Sequence, residues 1–314
     1  MRKILILGTV CSLVLLSGCV QKTNSATAFM MDTVVNIEAV SDKGILNDTL
    51  NYCRTYEKML SRTDSESQVY KLNVSGKGEV GDDLALLLAK ALQYSKKTDG
   101  KFDVSICSVS SLWDFKGETL PDADAIKNAL KFVGYKKIKI DGNTVDLGGT
   151  QIDLGGIAKG YVSSKAVEYL KSKGVKDAVV NFGGNVVVMG DDYYNVGIKN
   201  PFGEGVSATL KVKNTAVVTS GTYERYITVD GKKYHHILDT KTGYPVESDL
   251  VSATIICEDP TEADALSTCC LILGLEQAKQ LINNTDGVEA VFITTDGEIH
   301  LSSGIYAEDG YYRL

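Results

Sequence analysis

Five short clusters hold the side chains that could do chemistry. In Glu262-Ala263-Asp264-Ala265-Leu266-Ser267-Thr268, Asp264 and Thr268 stand four apart and share a face if the segment is helical. A carboxylate beside a hydroxyl supplies hard oxygen ligands of the kind magnesium takes, water and phosphate oxygens filling the rest of its shell. An ordinary helix start would show the same residues without a ligand, because an Asp there also complements the helix dipole. Asp153-Leu154-Gly155-Gly156-Ile157-Ala158-Lys159-Gly160-Tyr161 places two adjacent glycines where a short alternating stretch, Thr150 to Leu154, meets a helical pattern, Val162 to Lys173. Glycines at such a turn let backbone approach a ligand, and the free N–H groups of the following helix suit a phosphate. A tight turn that simply needs glycine is the plain alternative.

The third cluster runs from Tyr234-His235-His236 through Asp239 to Thr242-Gly243-Tyr244-Pro245. Neighbouring histidines on a strand point to opposite faces, so His235 and His236 cannot both serve one metal, and one of them is structural or exposed. A lone His on a strand is more often a satisfied core histidine than a base, but the chain has only three histidines and His300 lies far from any other cluster. Thr219-Ser220-Gly221-Thr222 gathers hydroxyls that could grip phosphate or ribose, or form a bulged strand. Gly100-Lys101-Phe102-Asp103 follows a helix and could present backbone to a base, or be a simple C-cap. Familiar nucleotide and hydrolase templates are missing: the glycine segment lacks the Gly-Lys-Ser/Thr ending of a P-loop, no Gly-x-Gly-x-x-Gly follows a strand, and no Gly-x-Ser-x-Gly elbow occurs.

The elements that must position these clusters follow from periodicity. Met31 to Val40 alternates as a first strand; Ile45 to Met59, Leu84 to Thr98 and Asp122 to Lys131 are helical; Ser61 to Ser67 is turn-like. Phe102 to Ile106 reads as a short strand before the aromatic Leu112-Trp113-Asp114-Phe115. Asp141-Gly142-Asn143, Gly183-Gly184, Asp230-Gly231 and Thr295-Asp296-Gly297 mark hairpins, and strands dominate from Tyr194 to Ile256. Asp259-Pro260 with Glu262 starts a helix that Gly274 stops, and Leu275 to Ile282 is another. Helices and strands mix without regular βαβ alternation, which predicts an α+β fold with mixed or antiparallel sheets and flanking helices.

At the N-terminus, Arg2 and Lys3 precede an apolar run, Ile4 to Leu16, too short for a comfortable span. Leu16-Ser17-Gly18-Cys19 ends it as a lipoprotein signal would: residues 1–18 are expected to be removed and Cys19 to carry lipid, with 19–28 a polar tether and 29–314 the folded domain. That places the domain on the extracytoplasmic side of a membrane. The remaining length suits one large or two modest domains. Acidic residues outnumber basic ones, 40 to 33, and no long basic run occurs, so nucleic acid is excluded as a partner class. Cys53, Cys107, Cys257, Cys269 and Cys270 form an odd set without zinc spacing, and Cys269-Cys270 in an apolar run read as core.

Taken in order, these clusters resemble the ApbE family of FAD:protein FMN transferases. The resemblance runs from Met31-Asp32-Thr33 to Gly304 and is carried by Asp153 to Tyr161, Asn181-Phe182-Gly183-Gly184, Thr219 to Arg225, His236 to Pro245 and Ala263 to Thr268. Weaker matches are Leu60-Ser61-Arg62-Thr63 and Gly100 to Phe115. It implies T-fold-like architecture, magnesium-dependent cleavage of FAD, transfer of FMN to a Thr or Ser of an acceptor such as a membrane redox-pump subunit, and release of AMP. By motif, Met31, Thr63, Lys101, Phe102, Asp103, Asp153, Lys159 and Leu238 would touch FAD. The Gly156 carbonyl, Asp264 and Thr268, with Ser267, would hold magnesium, and His236 would be the base. Thr63 stands where the family often has Tyr, and Cys107-Ser108 where Gly-Pro is common. Two other readings stay open: a magnesium-dependent FAD pyrophosphatase giving FMN and AMP, and a non-catalytic flavin-binding lipoprotein.

Overall fold

A computed structural model describes residues 23–117 and 119–314. The expected signal and Cys19 lie outside the described residues. The first half of the chain forms β1 (Thr23–Met30), β2 (Thr33–Val40), α1 (Lys43–Leu60), α2 (Gln68–Ser75), β3 (Lys77–Glu79), α3 (Asp82–Lys97), α4 (Cys107–Ser110) and α5 (Ala123–Ala129). Then come β4 (Lys139–Asp141), β5 (Thr144–Asp146), α6 (Ala158–Ser172), β6 (Ala178–Phe182), β7 (Asn185–Met189), β8 (Tyr194–Lys199) and β9 (Val206–Val212). The rest is β10 (Thr215–Gly221), β11 (Tyr226–Val229), β12 (Lys232–His235), β13 (Leu250–Cys257), α7 (Pro260–Leu273), α8 (Leu275–Asn283), β14 (Glu289–Thr294), β15 (Ile299–Leu301), β16 (Tyr306–Glu308) and β17 (Tyr311–Arg313).

An eight-stranded sheet in the order β1-β2-β6-β7-β10-β13-β14-β15 is the frame, and each of its pairings is antiparallel. Strand alternation divides its apolar side chains between two cores. Val180 and Phe182, Ala216 and Val218, Ile255, and Ala290 and Phe292 face the helices. Val217, Ile256, Val291 and Ile293 face the other way, against β8 and β9 of the four-stranded sheet β16-β17-β9-β8. That second sheet contains the one parallel pairing among the described strands, β17 with β9. A third cluster packs Val109, Trp113 and Ile126 against Ile227 and Leu238, joining the α4–α5 region to the β11–β12 hairpin. The result is α+β, with helices on one face of the large sheet.

Several expectations are corrected. Thr23–Ala28, assigned to a tether, belong to β1, because β2 offers a full ladder from Thr23↔Val40 to Met30↔Thr33. Met31 and Asp32, expected inside a strand, form the hairpin turn instead, with φ of 52° and 58°. Two consecutive positive φ values are what a two-residue turn needs to match strand twist. Phe102–Ile106 is no strand: the Asp103 carboxylate accepts bonds from the Ser105 N–H (2.8 Å), the Ser105 hydroxyl (2.6 Å) and the Tyr135 N–H (3.0 Å). A side chain that captures local backbone donors competes with a ladder. Thr150–Leu154 is likewise extended without joining a sheet, tied by the Asp153 N–H to the Val104 carbonyl (2.9 Å) and an isolated bridge between Ile106 and Gln151. Helix α6 begins at Ala158, four residues before the periodicity predicts, so Lys159 and Gly160 lie in its first turn.

Candidate functional site

Helix α7 is set by its start. The Asp259 carboxylate caps it, accepting from the Thr261 N–H at 2.8 Å, and pairs with Lys90 on α3 at 2.6 Å. Burial would raise the Asp259 pKa, but Lys90 and the capped N–H outweigh it and hold the carboxyl below its ordinary range. Pro260 occupies the first turn, where its missing N–H costs nothing. Asp264 then falls one turn in, at 2% exposure, and accepts the Gly160 N–H at 2.8 Å. Helices α6 and α7 cross so closely there that a Cβ on Gly160 would lie 2.1 Å from the Pro260 carbonyl oxygen. A side chain is excluded, and the exclusion is what brings the start of α6 onto Asp264.

Ser267 and Thr268 face β10. The Ser220 hydroxyl lies 2.7 Å from that of Ser267 and 3.3 Å from that of Thr268, and Ser267 also donates to the Asp264 carbonyl at 2.8 Å. The glycine turn closes the other side: a Cβ on Gly156 would meet the Phe102 ring at 2.8 Å and the Thr268 methyl at 3.5 Å. Gly156, Asp264, Ser267, Thr268 and Phe102 therefore form one cradle, with Ser220 as its hydroxyl floor. Among the described residues, Asp264 has no cationic side chain in ion-pair range. No three His, Cys, Asp or Glu side chains cluster there as a zinc site would.

His236 follows β12 directly. Its Nδ1 lies 3.2 Å from the Arg225 carbonyl oxygen and its ring stands edge-on to Phe115 at 6.3 Å. His235 turns elsewhere, its Nε2 3.2 Å from the Val246 carbonyl oxygen, so the two rings diverge. Burial pushes the His236 imidazole down to about 4; the bond to Arg225 opposes this, and the charges of Arg225 and Lys159 add to it. The near-neutral pKa expected of a base is thus not the property of the free site. Lys159, in the first turn of α6, acts on the His236 segment only through its charge. The same segment is pinned by the Thr240 hydroxyl to the Gly100 carbonyl (2.8 Å) and by the Trp113 indole N–H to the Gly243 carbonyl (2.9 Å).

The remaining sequence candidates are distributed around this frame. Asp153 accepts from the Ser110 hydroxyl at 2.7 Å and the Gly155 N–H at 2.9 Å, and pairs with Arg62 at 3.3 Å. Thr63 is held beside it by Ser61, whose hydroxyl accepts the Thr63 N–H at 3.2 Å. Met31 donates its N–H to Glu57 at 2.6 Å from the hairpin tip. Lys101 reaches out to Gln277 at 2.9 Å. Asp103 spends its carboxylate on Ser105 and the distant Tyr135 N–H, and Leu238 is buried in the third cluster and bridged to Pro245. Arg62 and Arg225 escape sequence reasoning: nothing in their spacing announces that one fastens Asp153 and the other presents the carbonyl that orients His236.

The sequence profile of the ApbE family matches residues 31–292. An FAD:protein FMN transferase of Treponema pallidum is 35% identical over 83% of this chain and 80% of its own length. One of Klebsiella pneumoniae is 32% identical over 89% and 92%. The crystal structure of the ApbE protein of Thermotoga maritima superposes with a TM-score of 0.82 at 33% identity, covering 90% of this chain and 98% of that one. The chain belongs to the ApbE family.

Proposed function

We propose that this protein is an FAD:protein FMN transferase that breaks the diphosphate of FAD, passes FMN to a Thr or Ser hydroxyl of an extracytoplasmic acceptor and releases AMP. The observation that carries the reading is the cradle itself: a buried Asp264 carboxylate held on the Gly160 N–H at the start of α6, with Thr268 and the Gly156 turn packed beside it. The shared name of the relatives supports it.

The cradle fits magnesium: a buried carboxylate without a cationic partner among the described residues, a turn carbonyl and a hydroxyl are hard oxygen donors. Asp264, Thr268 and the Gly156 carbonyl would hold it, with Ser267 alongside, and when bound it neutralises charge on the diphosphate. Met31, Thr63, Lys101, Phe102, Asp103, Asp153, Lys159 and Leu238 would line the FAD site. Phe102 gives a flat apolar wall against Gly156, and the Lys159 ammonium at the positive end of α6 adds positive potential where phosphate would sit.

His236 is arranged to take a proton. A carbonyl only accepts, so the contact with Arg225 places the ring proton on Nδ1 and leaves the Nε2 lone pair free. With its pKa near 4 the ring is neutral at pH 7, and the negative diphosphate raises its basicity when FAD is bound. As the acceptor oxygen bonds to the FMN phosphorus, its proton passes to His236 Nε2 and the phosphoanhydride P–O bond to AMP breaks. Lipid at Cys19 would hold this chemistry outside the cytoplasmic membrane, where a redox-pump subunit presents its hydroxyl.

The test incubates the protein with FAD and magnesium, with and without the extracytoplasmic domain of a flavin-carrying redox-pump subunit, and follows AMP, free FMN and acceptor mass. AMP matched by an FMN-sized gain on the acceptor is expected. AMP with equal free FMN in both arms makes the protein a pyrophosphatase, and intact bound FAD makes it a carrier. His236→Ala is expected to abolish transfer while FAD still binds; normal turnover in that variant refutes the role of the base.

A further inference from the structure

Among the described residues, strand β1 is the outer strand of the large sheet, and within its own length it lacks the devices by which sheet edges are normally blunted. From Thr23 to Met30 it contains no proline and no charged residue, and its register with β2 runs without a bulge. Natural edges of that length are usually shortened, charged or bent, because free N–H and C=O groups template pairing with another chain. Eight residues offer an edge of about 27 Å at the usual strand rise.

The register says which groups are free. Met30 and Thr33 close the two-residue turn, and the closing pair of such a hairpin exchanges hydrogen bonds. Alternation then turns Ala28, Ala26 and Asn24 inward to β2, and Phe29, Thr27, Ser25 and Thr23 outward. The side chains of those four outward residues are all exposed, Phe29 at 66%. Phe29 is also one wall of an open groove of about 280 Å³ whose other walls include Phe115, Arg225 and Tyr226. Phe115 and Arg225 are the residues that touch His236. A strand laid on β1 would therefore meet an aromatic groove two of whose walls, Phe115 and Arg225, also touch the proposed base.

We propose that the acceptor protein docks by β-augmentation: an extended segment pairs with the outward groups of β1, and its Thr or Ser hydroxyl continues through the Phe29–Phe115–Tyr226 groove to His236. This rests on the transferase reading, which requires a protein hydroxyl at His236. Main-chain pairing gives affinity for any extended segment, and the aromatic groove selects what lies beside the hydroxyl. The arrangement explains why an edge so close to the site is left unblunted, and why Met31 and Asp32 hold positive φ values that glycine would adopt more readily: the turn fixes the register that aims Phe29 into the groove.

Residue-resolved amide exchange on the full-length protein loaded with FAD tests it, with and without saturating extracytoplasmic domain of a redox-pump subunit. Ser25, Thr27 and Phe29 amides are expected to exchange fast alone and slowly with the acceptor, while Ala26 and Ala28 stay slow in both. No added protection overturns the proposal, as does protection before acceptor is added, which would mean that the chain's own preceding residues occupy the edge. In turnover, Thr27→Pro removes one outward donor and is expected to raise KM for the acceptor about tenfold, with FAD affinity and acceptor-free AMP release unchanged. If that variant does not fold, Phe29→Ser is read instead, with the same expectation; an unchanged acceptor KM overturns the docking. The two readings fail separately: protection of β1 without flavin transfer counts against the transferase, and transfer without protection counts against this surface.

Discussion

Replacing Gly160 by Ala tests the crossing on which the cradle depends. The new methyl would stand 2.1 Å from the Pro260 carbonyl oxygen and 2.6 Å from the Asp264 Cβ. Carbon and oxygen do not approach closer than about 3.3 Å without strain, so α6 and α7 must part by roughly 1 Å. Parting stretches the 2.8 Å bond from the Gly160 N–H to the Asp264 carboxylate. Ala gains about 1 kcal/mol in helix propensity over Gly. Against it stand about 1–3 kcal/mol for overpacking and about 1.5–3 kcal/mol for a weakened bond to a charged group. The losses win, by roughly 1.5–5 kcal/mol on balance. Activity is expected to fall further than stability, since a 1 Å misplacement near reacting groups costs about 100-fold. Urea unfolding gives the first quantity and AMP release the second. Gly155→Ala is the control: its Cβ would meet only the Asp153 Oδ1, at 3.2 Å, and little change in stability is expected. A Gly160→Ala protein with wild-type stability and turnover would refute the claim that this contact sets the position of Asp264.

Asp259→Ala removes the α7 cap and the Lys90 partner and is expected to destabilise by about 1–2 kcal/mol in urea unfolding. Because the folded carboxyl sits below its ordinary range, its contribution is complete above the unfolded pKa and disappears as pH falls through the folded one; the variant should accordingly lose the part of the acid sensitivity that this group supplies. His236, with a folded pKa of about 4 against an ordinary 6.5, disfavours protonation in the fold, so its contribution to stability should fade as pH drops from 6.5 towards 4, and His236→Gln should flatten that part of the stability–pH curve. Burial pushes the Cys53 and Cys257 thiols up to about 12 and raises Cys269 and Cys270 further; thiol reagents should label none of these four at pH 8 until denaturant is added, and rapid native labelling would contradict the packing.

What the sequence discloses depends on how local the cause is. Helix α7 is readable because Asp259, Pro260 and Gly274 carry its boundaries within the segment itself. The hairpin turns at Gly142, Gly183-Gly184, Gly231 and Gly297 are readable for the same reason, since positive φ is a property of the turn. Strand β1 is not: Thr, Asn, Ser and Ala resemble a linker, and only the ladder from β2 makes them a strand. Phe102–Ile106 has the composition of a strand, but Asp103 captures Ser105 and, from far along the chain, Tyr135. The site divides the same way. Asp264, Thr268 and His236 stand out by type and spacing, whereas the pairing of Arg62 with Asp153 and the hydroxyl contact of Ser220 with Ser267 arise only when separate elements are packed together.

The sheet order has a kinetic consequence. Strand β2 ends at Val40, and its second neighbour, β6, begins at Ala178. Everything from α1 to α6 must be synthesised before the first hairpin can be locked into the sheet, and the cradle waits longer still, for α7. Pairings so distant in sequence close large loops before any contact rewards them, which slows folding towards the millisecond-to-second range. Until residue 182 is available, β2 lacks its second neighbour and the β1–β2 hairpin presents that edge unpaired. Holdase chaperones should accordingly recognise the nascent N-terminal half, and fragments ending before α7 should neither bind FAD tightly nor survive proteolysis.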